Sequence, residues 1–173
     1  IWILIDDVGF GASSAFGGPA RTPVIEKLAN NGLRYTNFHT TGVCSPSRAA
    51  LLTGCYPQRV GLPAVLEADS ETGLSSGEET IPELLKGVGY ATGMFGKWHL
   101  GDRPGFLPTR HGFDDYFGLP YSNDMWPHHP VKKNFFPDLP LLEGERVVGH
   151  NPDQSQLTTW YTERSVAFIE RHK

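Results

Sequence analysis

The chain has 173 residues, 39% of them hydrophobic and 20% charged, a composition suited to one globular domain or part of one. Its net charge of −4 provides no basic surface of the kind that binds nucleic acid, although acidic groups can still gather around a cation. No apolar run approaches the roughly 20 residues needed to cross a bilayer, and 20 Gly with 14 Pro imply many turns rather than a helical bundle.

Residues 1–5, Ile-Trp-Ile-Leu-Ile, form a continuous apolar run that predicts a strand buried on both faces. The run ends in Asp6-Asp7 and the glycine-rich Val8-Gly9-Phe10-Gly11. Thr22-Pro23, the apolar positions Val24, Ile25, Leu28 and Ala29, and a closing Gly32 predict a helix with Thr at its N-cap and Pro at its first position. Alternation over 33–41 predicts a strand. A helix follows from about Pro46 to Thr53, with Ser45 as cap. Residues 80–90 read as a second capped helix ending near Gly87 or Gly89, and 90–96 as a strand leading into Lys97-Trp98-His99. From 101 to 154 the chain is rich in Pro, Gly and aromatics, with short strands at most, near 145–149. Residues 158–172 space Trp160, Tyr161, Val166, Phe168 and Ile169 as a helix does. There is no internal repeat.

Strands alternating with capped helices predict an α/β fold with a largely parallel sheet. In such sheets chemistry collects beyond the C-terminal ends of strands. Asp6-Asp7 and Lys97-Trp98-His99 both occupy such ends in this reading. Both termini read as cuts through a longer protein: Ile1 opens inside an apolar run and Lys173 follows directly on a helical pattern. The two cysteines, Cys44 and Cys55, form neither a disulfide framework nor a CxxC pattern, and a helix between them would hold them too far apart to bridge.

Adjacent carboxylates after a buried strand repel one another unless a cation compensates. Asp6-Asp7 therefore read either as turn-forming residues or as hard oxygen ligands for Ca²⁺ or Mg²⁺. Cys44 and Arg48, four positions apart at a helix start, face the same way, and the free N–H groups there favour an anion. From these positions alone, Cys44 is a core thiol or an activated one. His39, His111, His128, His129 and His150 stand outside any clear motif and read as loop or structural residues, with His128-His129 also able to line a substrate rim.

The stretch Cys44-Ser45-Pro46-Ser47-Arg48-Ala49-Ala50-Leu51-Leu52-Thr53-Gly54 resembles the sulfatase signature, C-x-P-x-R followed by A-x-L-x-T-G. "DDVGFG" (6–11), "GKWHLG" (96–101), "HGFDDYFG" (111–118) and "PYSND" (120–124) resemble segments of the same family in the same order, as in arylsulfatases of the cerebroside-sulfatase type. The resemblance implies an alkaline-phosphatase-like three-layer sandwich with a largely parallel central sheet. Of this, residues 1–173 would be the N-terminal part of the catalytic domain. It further implies that a separate formylglycine-generating enzyme oxidises Cys44 to formylglycine, using Pro46 and Arg48 as recognition residues. The hydrate of that aldehyde would then attack a sulfate ester.

Carried over residue by residue, Asp6, Asp7 and the converted Cys44 would be ligands of calcium. Cys44 would also be the nucleophile, and Arg48 would hold the diol. Lys97 would bind sulfate, His99 would hydrogen-bond the formylglycine, and Ser122 would contact the sulfate region. The implied substrates are aryl sulfates, sulfated glycans or sulfolipids, and the implied setting is secreted, periplasmic or lysosomal. The family's remaining acid histidine, second lysine and metal ligands would lie beyond residue 173. Two alternatives stay open at this level: hydrolysis of phosphonate or phosphate esters on the same fold, and a catalytically inactive protein that recognises sulfated glycans.

Overall fold

Strands β1 (Gly93–Lys97) and β2 (Asp115–Leu119) run parallel in register, from Gly93 opposite Asp115 to Lys97 opposite Leu119. Two antiparallel strands, β3 (Pro140–Glu143) and β4 (Arg146–His150), extend the sheet in the order β1-β2-β3-β4. The computed structural model describes residues 1–173 and separates them into two compact units, Ile1–Thr40 and Thr41–Lys173. No helix is long and apolar enough to cross a membrane.

In the second unit, successive β2 side chains point to opposite faces, as the period of a strand requires. Tyr116 joins Ala49, Trp98, Leu100 and Leu142 in one buried cluster, whereas Phe117 and Leu119 join Leu139, Leu141 and Leu157 in another. The sheet is thus covered on both sides. One cover includes α2 (Cys44–Thr53), which contributes Ala49, and the other includes α4 (Leu157–His172), which contributes Leu157 with Trp160 and Tyr161 against it. A Cβ at Gly118 would collide with the carbonyl oxygen of Gly96, so the two parallel strands can approach here only because Gly118 has no side chain.

Helix α3 (Ile81–Gly87) begins with a capping box in which Thr80 N–H donates to Glu83 Oε2 at 2.8 Å. Its start and end match the reading of 80–90. The strand read over 90–96 begins later, at Gly93, because Val88 and Gly89 (φ 89°) form the turn out of α3 and residues 90–92 precede the ladder. β2 and β3 were not foreseen: each is only four or five residues long and lies among the turns of the Pro- and Gly-rich stretch. They give the described sheet one parallel and two antiparallel pairings.

The first unit departs further from expectation. Helix α1 (Pro23–Asn31) is present with Pro at its start, but Thr22 makes no side-chain cap. Its hydroxyl is instead engaged with Ser13 Oγ at 2.7 Å and Ser14 Oγ at 3.0 Å. Residues 1–5 are exposed and form no strand, and 33–41 are irregular. A strand exists only through ladder hydrogen bonds to a neighbour. Within 1–40 the only such pairing is the single bridge between Ser13 and Ala20.

Candidate active site

Helix α2 begins at Cys44 itself, with Val43 as its N-cap, two residues earlier than the sequence reading placed it. Cys44 therefore lies in the first turn, where backbone N–H groups lack helical partners. Arg48 follows one turn later and is 9% exposed. Ser47 fastens the chain entering this turn: its N–H donates to Val43 O at 3.2 Å and its hydroxyl donates to Thr41 O at 2.7 Å. Gly54, at φ 67°, ends the helix in the left-handed conformation.

The end of β1 supplies the second part of the site. Beyond Lys97 the parallel ladder continues, because Trp98 N–H donates to Leu119 O at 2.9 Å and His99 N–H to Pro120 O at 3.0 Å. These bonds hold residues 97–99 alongside 119–120 and bring Lys97 beside the turn that carries Ser122. Lys97 Nζ donates to Cys44 Sγ at 3.2 Å and to Ser122 Oγ at 3.1 Å. Arg48 Nη1 donates to the backbone carbonyl of Lys97. Four of the residues singled out from the sequence, Cys44, Arg48, Lys97 and Ser122, thus converge from three separate segments. Two cations beside a helix N-terminus form a setting that favours an anion.

His99 is almost fully buried, at 1% exposed, with φ 61°. A bulky residue in the left-handed region is uncommon and persists only where its surroundings hold it. Here the ring reaches Leu66, whose carbonyl oxygen lies 2.8 Å from Nε2. Trp98, fully buried, donates Nε1–H to Phe106 O at 2.8 Å and stacks on His111 with centroids 5.8 Å apart, so its part is packing. Burial pushes the pKa of His111 down, against the opposing charge of Glu83. Next to the site, burial pushes the Asp102 carboxyl up, although its Oδ2 accepts from Asp69 N–H at 2.7 Å. The Tyr121 phenol is likewise raised by burial.

Two features of this region were not found by sequence reasoning. Ser45 does not cap α2; it is fully buried and its Oγ accepts from Leu66 N–H at 3.1 Å. Leu66 itself acts through its backbone, which no residue-type pattern reports. The rim turn after β2 is tied down as well, since Asn123 Nδ2 donates to Gln154 Oε1 at 2.8 Å and Gln154 Nε2 donates to Asn123 O at 2.7 Å. Further along that loop, Trp126 and His128 meet edge to face at 4.9 Å, and His129 Nδ1 accepts from Val131 and Lys132 N–H at 3.1 and 2.9 Å. Neither Cys44 nor Cys55 is in a disulfide.

Asp6 and Asp7 belong to the first unit, in a turn directly after residues 1–5, both exposed and with Asp7 at φ 54°. No group of three or more His, Cys, Asp or Glu side chains is assembled as a metal cluster. As donors, two adjacent carboxylates in an open turn fit a hard cation but supply only part of the six to eight oxygens that calcium takes. The Cys44 thiol is a soft donor and fits calcium only after replacement of its sulfur by oxygen.

A family model described as Sulfatase matches residues 1–172. Arylsulfatase A from Bos taurus is 49% identical over 130 residues, covering 72% of this chain and 26% of the relative. N-acetylgalactosamine-6-sulfatase from Homo sapiens is 37% identical over 185 residues, covering 98% and 35%. Among solved structures, the PsFucS1 sulfatase from Pseudoalteromonas sp. superposes with a TM-score of 0.80 at 31% identity, covering 97% of this chain and 39% of that one. Ps i-CgsB, solved in complex with k-i-k-neocarrahexaose, matches with a TM-score of 0.80 at 30% identity, covering 96% and 40%. The chain therefore spans well under half the length of each of these relatives.

Proposed function

Because this chain belongs to the sulfatase family, we propose that it carries the nucleophile and part of the anion site of a sulfuric ester hydrolase. The observation that carries the reading is the convergence of Lys97 Nζ on Cys44 Sγ and Ser122 Oγ, with Arg48 bound to the Lys97 carbonyl. In this reading Cys44 Sγ stands where an oxygen of formylglycine would be after a formylglycine-generating enzyme has oxidised Cβ to an aldehyde. The hydrated aldehyde would supply two hydroxyls at residue 44, one to attack sulfur and one to release sulfate, so that the net reaction would consume one water per ester.

The chain's own residues divide the remaining tasks. Lys97 and Ser122 hold the sulfate oxygens, and Lys97 and Arg48 offset their negative charge where a preorganised site makes such charge most effective. His99 orients the hydroxyl at residue 44. Asp6 and Asp7 are two hard donors for calcium, an ion that would polarise the oxygens it binds. N-acetylgalactosamine-6-sulfatase and the neocarrahexaose complex of Ps i-CgsB support a sulfated sugar as substrate, and arylsulfatase A supports an aryl sulfate. Residues 1–173 would form the N-terminal part of the catalytic domain.

Turnover by the full-length protein tests this directly, with an aryl sulfate, a sulfated oligosaccharide and an aryl phosphonate compared side by side after co-expression with a formylglycine-generating enzyme. Sulfate-ester hydrolysis well above phosphonate hydrolysis is expected. Phosphonate preference, or binding of sulfated glycan without turnover, would replace the reading.

A further inference from the structure

Ser45 sits in the first turn of α2, between the proposed nucleophile and Pro46, yet its hydroxyl is fully buried and turned away from capping duty. A buried hydroxyl without a partner is destabilising, and here the partner is specific: Ser45 Oγ accepts the backbone N–H of Leu66 at 3.1 Å. The other side of the same residue faces the site, where Leu66 O lies 2.8 Å from His99 Nε2. A carbonyl oxygen can only accept, so Nε2 must carry the hydrogen. In the neutral ring Nδ1 is then the lone-pair nitrogen, and a histidine's second nitrogen is commonly defined in this way by the partner of the first. The segment holding Leu66 is pinned again three residues later, where Asp69 N–H donates to Asp102 Oδ2 at 2.7 Å.

We propose that Ser45 is a positioning residue of the site: through Leu66 it fixes the ring of His99 in the Nε2–H form, so that Nδ1 is the ring's acceptor nitrogen and would accept from the hydroxyl formed at residue 44. The second half of that statement rests on the reading of Cys44 as a formylglycine precursor, whereas the fixed ring form does not. The chain Ser45 Oγ, Leu66 backbone, His99 Nε2 links the segment that carries the nucleophile to the residue that orients it. A shift of α2 relative to His99 would strain two hydrogen bonds at once. The left-handed backbone of His99 is consistent with a ring held in place from outside its own segment.

The test compares wild type, Ser45→Ala and Ser45→Thr in the full-length protein. Ring ¹⁵N spectra of histidine-labelled protein, with His99 assigned by difference from His99→Gln, are expected to show a protonated Nε2 in wild type and Ser45→Thr. Ser45→Ala is expected to show both tautomers exchanging. Mass spectrometry is expected to find residue 44 converted equally in all three, because Cys44, Pro46 and Arg48 are untouched. In kinetics, kcat for an aryl sulfate is expected to fall about tenfold in Ser45→Ala with KM unchanged, the scale typical of losing a group that orients a functional histidine. Ser45→Thr is expected to restore kcat.

A wild-type Nε2 without its hydrogen, or a Ser45→Ala variant that keeps both the wild-type ring signature and kcat, overturns the proposal. A wild type that hydrolyses no sulfate ester but shows the fixed ring, loosened in Ser45→Ala, supports the positioning role while removing the catalytic reading above it.

Discussion

Residues 1–40 and 41–173 use similar apolar side chains with opposite results. In the second unit Trp98, Leu100, Leu74 and Leu139 are fully buried, and the same unit carries the converging polar groups Cys44, Arg48, Lys97 and Ser122. In the first, Ile1 is 98% exposed, Trp2 73% and Phe38 71%, and Ala15 is its only buried hydrophobic residue. Hydrophobicity is the same currency in both, but burial needs a second layer. Residues 41–173 have a sheet with covers on both faces. A unit of about 40 residues is at the lower limit of what can enclose a core. The side chains that carry proposed chemistry in the second unit are held by packed elements, whereas Asp6 and Asp7 lie on an open turn.

The largest expected effect lies at the site that the packed unit builds. Cys44→Ala in the full-length protein is expected to abolish sulfate-ester turnover while leaving the unfolding midpoint close to wild type; turnover within tenfold of wild type would break the account. The contrast between the two units is sharpened next by a matched pair of tryptophans. On the 173-residue chain, Trp98→Ala is expected to destabilise by about 3–5 kcal/mol, as large-to-small changes in a packed core do. Trp2→Ala is expected to stay within about 0.5 kcal/mol, as surface changes do. Urea unfolding measures both, and a cost of several kcal/mol at Trp2 would mean that 1–5 is buried in solution.

A smaller effect concerns acid. Burial lowers the pKa of His111 below its ordinary 6.5, so the unfolded chain binds this proton more readily than the folded one. Stability from this group is present above 6.5 and is lost as pH falls through the range below it. His111→Phe keeps a ring against Trp98 and removes the titration. Its unfolding midpoint is expected to fall less between neutral and acid pH than that of wild type, and an unchanged slope would assign the acid sensitivity elsewhere.

What could be read from the residues follows the same division. Helices α1, α3 and α4 were legible because periodicity and end signals are local, as at Thr80 and Glu83. The run at 1–5 was misread because an apolar sequence says what can be buried and not what buries it. β2 escaped notice because Gly118, a poor strand residue by type, is required there by the approach of Gly96. At the site, Cys44, Arg48, Lys97 and His99 stood out by motif and spacing, and the structure brings Cys44, Arg48 and Lys97 together with Ser122. The contribution of Leu66 was invisible, since a backbone carbonyl has no residue signature. Ser45 was visible but assigned to the wrong partner, because a serine at a helix start reads as a cap unless its burial is known.

The central claim is that Cys44 is the precursor of the nucleophile rather than a working thiol. The mass of the peptide carrying residue 44, taken from full-length protein purified in its active form, tests it most directly. The account predicts formylglycine at position 44, in a fraction that rises and falls with specific activity across preparations. Fully active protein in which residue 44 is unmodified cysteine would contradict it.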